Sequence, residues 1–360
     1  MPTTPERWEL GSDLHRVPIE ARSEDAERSP WELSQVRWSG AGRDGIRLIL
    51  EHGSRTRGWR RCWLPSYLCQ EVVAAARSTG LDCKLYSANP LVPDRSPELD
   101  FEATDVLMVV HQFGLHGRPD WLDSVPASID SVEDHTHDPW SDWARTSDAT
   151  YAFASLRKTL PLAEGTPVWS PTGAPLPPEP QVSSVRARAV ALKDEGMSGK
   201  ADYLAGGTVT KDAFRAKLLA GEAEIASGPV SGITDSSLAF ARSFPVNRWR
   251  AARLKNAERL RAHLQDVEGV KMLDWAPTQT PFAAILVTPD RGRRDALRTH
   301  LIASSVYPAI LWPLEEAELE GISELDRDLA DRLLSIHCDG RYTTEDMDRL
   351  AAVIAEGIVG

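Results

Sequence analysis

The sequence predicts an α/β fold in which helices cover both faces of a mostly parallel sheet, giving three layers, with a small α+β domain at the C-terminal end. Two observations indicate this fold. Short apolar runs alternate with helical patterns through the first part of the chain, which is typical of parallel sheets with crossover helices. A shorter alternation of strand and helix patterns begins near Gly269, after a long helical stretch. The 360 residues suffice for one large and one small domain.

The large domain is predicted over residues 36–248, after an extended, proline-punctuated segment at residues 1–35. A helix is expected to begin near Gly42, and a second helical pattern covers Gln70–Arg77. The apolar runs that predict strands are Arg61–Leu64, Cys83–Tyr86, Val106–Val110, Ser128–Val132 and Tyr151–Ala154. Ligands of such sheets bind beyond the carboxyl ends of the strands, so residues directly after these runs are candidates for a site.

The second half of the chain is predicted to be mainly helical before the small domain. The segment Ser170–Pro180 contains five prolines and is therefore a loop. Helical patterns follow through Leu204, over Lys211–Ala226 and over Ser236–Leu264. The small domain is predicted over residues 249–360. Its strand and helix patterns cover Phe282–Val287, Arg293–Ala303, Tyr307–Leu311, Glu320–Leu334 and Thr344–Ile354.

Composition and charge argue against several classes of protein. A formal net charge of −12 opposes a general affinity for nucleic acid or anionic membranes. No apolar run approaches the ~20 residues of a membrane span, and the first residues lack an apolar signal core, so a cytoplasmic protein is expected. The four cysteines have no metal-site spacing, so no metal is expected; they are Cys62, Cys69, Cys83 and Cys338.

A lysine and an acid after neighbouring strands indicate the chemistry. Lys158 follows the predicted strand Tyr151–Ala154, and Asp134 follows the predicted strand Ser128–Val132. The cofactor pyridoxal 5′-phosphate (PLP) requires such a pair. A lysine amine forms a Schiff base with its aldehyde, and a carboxylate keeps its ring nitrogen protonated. Asp130 is a rival for the role of the acid.

Other residues are candidates for contacts with the cofactor. Ser155, three residues before the lysine, could bond the phosphate. The glycine-rich turn that contains Gly42, Arg43 and Asp44 opens a helix, and its free backbone N–H groups could hold the same phosphate. Tyr67, at a predicted strand end, could stack on the cofactor ring.

Two histidines compete for a further cofactor contact. His137 and His135 both follow Asp134 closely, and either could hydrogen-bond the ring oxygen of the cofactor. Arg157, Arg341 and the loop Ser170–Pro180 are weaker candidates for substrate contacts, since each is more simply explained as structural or exposed.

In this order, the segments from about Gly40 to the C-terminus resemble the DegT/DnrJ/EryC1/StrS group of PLP-dependent aminotransferases, within the fold-type I superfamily. The family's Glu-Asp-Ala-Ala-Gln is similar to residues 133–137, which favours Asp134 over Asp130 and places His137 at the glutamine. The other matching segments are Ala41-Gly42-Arg43 for Ser-Gly-Thr, Leu64-Pro65-Ser66-Tyr67-Leu68 for Val-Pro-Ser-Phe/Tyr-Thr, His111-Gln112-Phe113-Gly114 for His-Leu-Tyr-Gly, Arg157-Lys158 for Thr-Lys, and the last strand and helix. Ser-Leu-Arg-Lys and Glu-Asp-x-Thr-His fit a divergent branch of the group.

The chain departs from the family at several positions. The family's serine five residues before the lysine is Phe153 here, so the hydroxyl role passes to Ser155. Its stacking aromatic falls on Cys69, and two further segments have changed: residues 163–166, after the lysine, and 232–237, where the family reaches into the neighbouring subunit's site. A sugar-nucleotide substrate therefore does not follow from the resemblance.

The resemblance implies an aminotransferase that moves an amino group between an amino donor and a small carbonyl substrate through the Lys158 Schiff base. It also implies a homodimer, because sites of this superfamily lie at a dimer interface. Two alternatives remain: another PLP reaction, such as β-elimination or decarboxylation, and a regulatory protein that has lost turnover. The identity of the substrate and of the amino donor does not follow from the sequence.

Overall fold

A computed structural model describes residues 7–11, 13–18, 28–315 and 317–359; residues 1–6, 12 and 19–27 of the predicted N-terminal segment lie outside these ranges. The strands are β1 Leu10–Gly11, β2 Val36–Ser39, β3 Arg61–Pro65, β4 Asp82–Tyr86, β5 Asp105–Val110, β6 Asp130–Asp134, β7 Tyr151–Phe153, β8 Thr166–Trp169, β9 Lys271–Met272, β10 Ala284–Val287, β11 Val306–Tyr307 and β12 Leu333–Ile336. The α-helices are α1 Gly42–Thr56, α2 Gln70–Arg77, α3 Asp142–Thr146, α4 Ser184–Leu204, α5 Lys211–Ser227, α6 Asp235–Ser243, α7 Val246–Leu264, α8 Arg291–Ala303, α9 Glu324–Arg332 and α10 Thr344–Val359. None of these described helices is both long and apolar enough to cross a membrane.

Seven strands form the large sheet, in the order β2-β8-β7-β6-β5-β3-β4. The five strands from β3 to β7 run in parallel, and β8 runs antiparallel to both of its neighbours. Asp134 at the end of β6 pairs with Phe153 at the end of β7, so the carboxyl ends of these two strands lie side by side. The sheet is thus mostly parallel, as the sequence predicts.

Helices cover both faces of this sheet. Side chains alternate along a strand, so Val106 and Met108 of β5 pack towards α1 and α2, whereas Leu107 and Val109 pack towards Trp143 of α3. The first turn of α7 packs on the same face as α3. These layers confirm the predicted three-layer α/β fold.

The small sheet contains three antiparallel strands in the order β12-β10-β9. Helices α7, α8 and α10 pack on it around a leucine-rich core. Strand β1 crosses from the N-terminal segment to pair with β11, with Leu10 opposite Val306. The predicted α+β unit is therefore present. Its boundary at residue 248 stays a prediction, since α7 runs through that position.

Some predicted elements differ from the observed ones. The helix predicted over Ser236–Leu264 is wrong in one respect: it breaks into α6 and α7 at Pro245, whose ring cannot continue the first helix. Strands β2 and β8 are absent from the prediction. Strand β6 starts two residues later than predicted and includes the charged residues Asp130, Glu133 and Asp134.

Buried polar contacts join the small sheet's side of the molecule to the large sheet. Asp326 of α9 is fully buried and accepts hydrogen bonds from the Ser66 hydroxyl and, at 2.9 Å, from the Asn89 side-chain amide. Tyr67 donates its hydroxyl hydrogen to the Leu311 carbonyl. Leu311 and Asp326 are therefore held against the loops that follow β3 and β4.

Candidate active site

A cavity of about 290 Å³ opens at the carboxyl ends of β6 and β7. Such ends are where doubly wound sheets bind ligands. Six of the residues predicted from the sequence line this cavity: Gly42, Arg43, Asp134, His137, Ser155 and Lys158. Asp44 and Tyr67, also predicted as cofactor ligands, do not line it.

Asp134 lies at the end of the central strand of this region. Its neighbours across the sheet are Val110 on β5 and Phe153 on β7, so two apolar side chains flank the carboxylate. The Thr136 N–H donates to Oδ1 at 2.8 Å. Burial raises the pKa of Asp134, and the hydrogen bonds from Thr136 offset this only in part. The carboxylate is therefore suited to a partner that brings a positive charge or a proton.

The two rivals from the sequence point elsewhere. Asp130, at the start of β6, accepts hydrogen bonds from the Arg57 guanidinium at 2.6 and 2.7 Å and from the Trp59 indole at 2.7 Å. His135 faces the opposite side of the sheet, where Nε2 lies 2.8 Å from a carboxylate oxygen of Glu133. Neither rival lines the cavity.

Lys158 ends the short 3₁₀ turn Leu156–Lys158, which follows β7. Its side chain is solvent-accessible yet surrounded by the cavity wall, and its ammonium makes no hydrogen bond or ion pair with the described residues. The positive charge of Arg157 and burial lower the pKa of Lys158 to about 8, against the opposing charge of Glu222. Near neutral pH, an appreciable fraction of this amine is unprotonated and can act as a nucleophile or base.

His137 is held as one tautomer. The Phe113 backbone N–H donates to its Nδ1 at 2.9 Å, so the proton of the neutral ring is on Nε2. Burial lowers the pKa of His137 to about 3, which keeps the ring neutral. The next residue, Asp138, binds Arg250 through two hydrogen bonds, at 2.9 and 2.7 Å, and Arg253 at 3.3 Å. These ion pairs fix the loop that carries His137.

Gly42 and Ser155 line the cavity next to each other. Gly42 is the first residue of α1, so its N–H is among the helix's unpaired donors. A Cβ atom at Gly42 would lie 3.1 Å from the Cβ atom of Ser155, so a side chain there would narrow the gap between helix and serine. The Ser155 N–H donates to the Thr136 hydroxyl oxygen at 2.9 Å, which ties this turn to the end of β6. Thr136 thus links both sides of the site, a role that the sequence does not reveal.

Glu222 of α5 is a cavity residue that sequence reasoning missed. It accepts two hydrogen bonds from Arg157, at 2.7 and 3.0 Å, one from Lys193 at 2.6 Å and one from Arg43 at 3.3 Å. Burial alone would raise the pKa of Glu222, but Arg157 and Lys193 outweigh it and hold the pKa well below its usual range. This carboxylate is therefore charged at all physiological pH values.

Asp44 has a structural environment. Its carboxylate accepts the Ala41 N–H at 3.1 Å and binds the buried Arg186 guanidinium at 2.6 Å. Burial raises the pKa of Asp44, with Arg186 opposing this shift. Asp44 thus caps the first turn of α1 from the side away from the cavity. It places Gly42 and Arg43 without facing a ligand.

Tyr67 also lies outside the cavity. Its ring is fully buried against Phe113 and Trp312, at centroid distances of 6.1 and 5.5 Å. Its hydroxyl donates a hydrogen bond to the Leu311 carbonyl oxygen. The residue two positions on, Cys69, lines the cavity instead. Tyr67 supports the wall of the cavity from behind.

An aromatic wall from the C-terminal part of the chain closes the cavity, and it too was not predicted. Trp312 stacks on His137 at 5.7 Å and 22°, and Phe282 lies 4.6 Å from the same imidazole. No spacing in the sequence links these residues to the strand ends. Arg341 and the loop Ser170–Pro180 do not reach this cavity, whereas Arg157 lines it.

No family model matches the sequence, and no curated protein matches it. Several solved structures do match, each as a similar structure. A DegT DnrJ EryC1 StrS aminotransferase from Brucella abortus has a TM-score of 0.55 and 16% identity, over 89% of this chain and 85% of that chain. NtdA from Bacillus subtilis, with bound cofactor PMP, has a TM-score of 0.59 and 12% identity, over 90% and 73% of the two chains. A putative sugar aminotransferase, Spr1654 from Streptococcus pneumoniae, in its PLP form, has a TM-score of 0.62 and 11% identity, over 91% and 88%.

This likeness establishes the fold. The chain has the three-layer α/β fold of the PLP-dependent fold-type I transferases, with the small α+β unit after the large sheet. At identities below 20%, the resemblance to the DegT/DnrJ/EryC1/StrS group is one of architecture.

Proposed function

We propose that this protein is a PLP-dependent aminotransferase that moves an amino group between an amino donor and a small carbonyl substrate. One observation carries the proposal: Asp134, at the end of β6, and Lys158, on the turn after the neighbouring strand β7, line the same cavity. An unpaired lysine opposite a buried carboxylate is the pair that PLP requires. The similar structures named above are aminotransferases, which supports amino-group transfer as the proposed reaction.

The residues of the cavity fit the cofactor at both of its ends. Gly42 leaves room beside Ser155, so a helix-opening N–H and a hydroxyl adjoin there, and Arg43 lines the same cavity; such donors suit a phosphate group. At the other end, Asp134 has a raised pKa and only Thr136 as a hydrogen-bond donor among the described residues. It can therefore pair with the protonated nitrogen of a pyridine ring.

When bound, PLP accepts electrons from a substrate amine and makes its α-proton acidic. Lys158 then takes and returns that proton, because its pKa of about 8 allows both protonation states near neutral pH. Asp134 keeps the ring nitrogen charged. His137, whose Nδ1 is occupied by the Phe113 N–H, would offer its Nε2–H to the ring oxygen, and Trp312 and Phe282 would limit access of water from the side of the small sheet.

Absorbance and mass spectrometry test the cofactor assignment. Purified protein with added PLP is expected to turn yellow, and borohydride followed by proteolysis and mass spectrometry is expected to find the reduced cofactor on Lys158. Lys158→Ala is expected to abolish both signals. Lys217→Ala is expected to keep them, because Lys217 is an exposed lysine of α5 that pairs with Glu195 of α4. A labelled lysine other than Lys158 would contradict the proposal.

Amino-group transfer is tested on the loaded protein. A suitable amino donor is expected to bleach the yellow colour, and a keto acid added after removal of the donor is expected to restore it. Bleaching without recovery would indicate a different PLP reaction. An unchanged spectrum across a broad panel of donors would indicate a protein without turnover.

A homodimer in the cytoplasm belongs to the same proposal. Helix α5 presents an exposed apolar stripe, in which Leu219 is 65% exposed, Ala216 and Ala223 lie one turn to either side, and Ala220 is adjacent. The stripe continues to Ala226, which lines the cavity together with Glu222. A second copy bound to this stripe would therefore lie beside the site. Four unpaired cysteines suit a reducing compartment. Light scattering of wild type and Leu219→Asp tests the dimer, and cell fractionation tests the location.

A further inference from the structure

Two arginines of this chain meet on one carboxylate. Arg43 and Arg157 stand where the resembling family has threonine, the first after the helix-opening glycine and the second before the lysine. These positions are more than a hundred residues apart in the sequence. The fold brings both guanidinium groups to Glu222, so the two departures form one structural unit.

The contacts to Glu222 are specific. Arg157 makes a two-point interaction, with its two terminal nitrogens 2.7 and 3.0 Å from the two carboxylate oxygens. Arg43 lies 3.3 Å from the oxygen that accepts the longer of these bonds, and Lys193 lies 2.6 Å from the other. Three cations therefore share one carboxylate. Glu71 adds a second anion, 2.8 Å from Arg43, but it is 66% exposed.

The two arginines are placed for a ligand. Each of their side chains is only 10% exposed, and both line the cavity. Nε of Arg157 is buried without a hydrogen-bond partner among the described residues. Arg43 follows Gly42 directly and Arg157 follows Ser155 by two positions, so the backbones of both arginines lie close to the gap between Gly42 and Ser155.

We propose that Arg43 and Arg157 form a preformed site for a phosphate monoester and that Glu222 is a built-in competitor which holds the two arginines until the phosphate displaces it. The assignment of the phosphate to the PLP group rests on the proposed function; the anion site itself does not. Lys193 keeps the displaced carboxylate paired.

Electrostatics supports a competitor over a permanent partner. Without an anion, two buried guanidinium groups side by side would repel each other, and Glu222 removes that repulsion. With a phosphate bound, the same carboxylate becomes a like charge beside a group of charge near −2. Like charges a few ångströms apart repel each other strongly in partly buried sites. Glu222 thus keeps the empty site stable and lowers its affinity for phosphate.

Calorimetric titration with inorganic phosphate tests this inference without PLP or turnover. Glu222→Gln keeps the shape of the side chain and removes its charge, so it is expected to bind phosphate at least about tenfold more tightly than wild type. Arg157→Gln and Arg43→Gln are each expected to bind it at least about tenfold more weakly, since each loses a charged donor. Glu71→Gln is the matched control, and its affinity is expected to change by less than about threefold, because its carboxylate is exposed.

Two results would overturn the inference. One is phosphate binding by Glu222→Gln that is equal to or weaker than that of wild type, in a protein with an unchanged unfolding temperature. Glu222 would then only orient the arginines. The other is unchanged phosphate binding in both arginine variants, which stays informative if the Glu222 variant does not fold. A protein that binds phosphate as expected but never turns yellow with PLP would keep the anion site and refute the proposed function.

Discussion

The backbone N–H of Phe113 donates to Nδ1 of His137 at 2.9 Å. Because a backbone N–H can only donate, this one contact decides which imidazole nitrogen carries the proton. Phe113 has a positive φ of 55°, and this conformation belongs to the turn that presents its N–H to the histidine. The loop after β5 therefore sets the hydrogen-bonding character of a residue on the loop after β6.

A donor at Nε2 of His137 is expected to contribute to cofactor binding. His137→Leu removes that donor and is expected to weaken PLP binding by about tenfold, the effect of one lost hydrogen bond. His137→Gln retains an N–H donor and is expected to stay within a few-fold of wild type. Titration by absorbance gives both affinities. His116→Leu is the control, because His116 contacts the Pro90 carbonyl and does not line the cavity. Wild-type affinity in His137→Leu would exclude the contact.

Buried neutral histidines are expected to make the protein sensitive to acid. Burial lowers the pKa of His137 to about 3 and of His111 to about 4, from an ordinary value of 6.5. Between pH 6.5 and about 4, the unfolded chain binds these protons and the folded chain does not. As the pH is lowered through this range, the free energy of unfolding is therefore expected to decrease by about 1.4 kcal/mol per pH unit for each group.

Urea unfolding at several pH values between 4.5 and 7 measures this slope. His111→Asn is expected to reduce this slope by the contribution of one titrating group, about 1.4 kcal/mol per pH unit. The same slope in wild type and in this variant would mean that His111 is protonated in the folded protein or that other groups dominate.

Arg157 is expected to control the basicity of Lys158. Its positive charge is the largest cause of the lowered lysine pKa, and its removal also frees Glu222 to stabilise the ammonium form. In Arg157→Gln, the amine is therefore expected to react with aldehydes only at higher pH.

The rate of capture of pyridoxal, which lacks the phosphate, separates this effect from phosphate binding. Plotted against pH, it is expected to have its midpoint near 8 in wild type and clearly higher in the variant. Arg298→Gln, an exposed residue of α8, provides the control. Coincident midpoints in Arg157→Gln and wild type would contradict the role of Arg157.

Substitutions of the two acids at opposite ends of β6 are expected to have different effects: one on activity and the other on stability. Asp134→Asn cannot hold a proton on the ring nitrogen, so amino transfer is expected to drop by at least about a hundredfold while the fold persists. Asp130→Asn loses charge-assisted bonds to Arg57 and is expected to cost about 1–3 kcal/mol of stability at nearly normal activity. Turnover and thermal unfolding, measured on both variants, separate the two roles. A loss of turnover in Asp130→Asn and a loss of stability alone in Asp134→Asn would make Asp130 the cofactor's acid instead.

The sequence predicted most of the elements that carry the site. Strand β5 is a continuous apolar run and helix α2 has a helical pattern, and Lys158 and Asp134 come after predicted strands whose apolar runs are visible. The predicted position of strand β6 was two residues too early, because its acidic residues Glu133 and Asp134 are typical of a turn. Their charges are accommodated by partners that only the fold supplies, such as Arg57 for Asp130.

Other parts of the site have no local signal. Glu222 lies on α5, whose pattern predicts a solvated polar position there; only the packing of α5 against the turn at Arg157 makes it part of the cavity. Asp44 and Tyr67 were predicted as cofactor contacts from their place in motifs. A motif does not show which way a side chain faces, and neither side chain lines the cavity. Trp312 comes from a part of the chain far from the strand ends, and its position depends on how the small sheet docks.

The carboxylate of Asp326 is shared by Ser66 and Asn89, which come from two different loops of the large sheet. The C-terminal portion is therefore not an exchangeable module. A chimera that replaces residues 249–360 with the equivalent part of a similar aminotransferase would strand the polar groups of Ser66 and Asn89 in a dry interior. A viable recombinant has to inherit both loops together with α9.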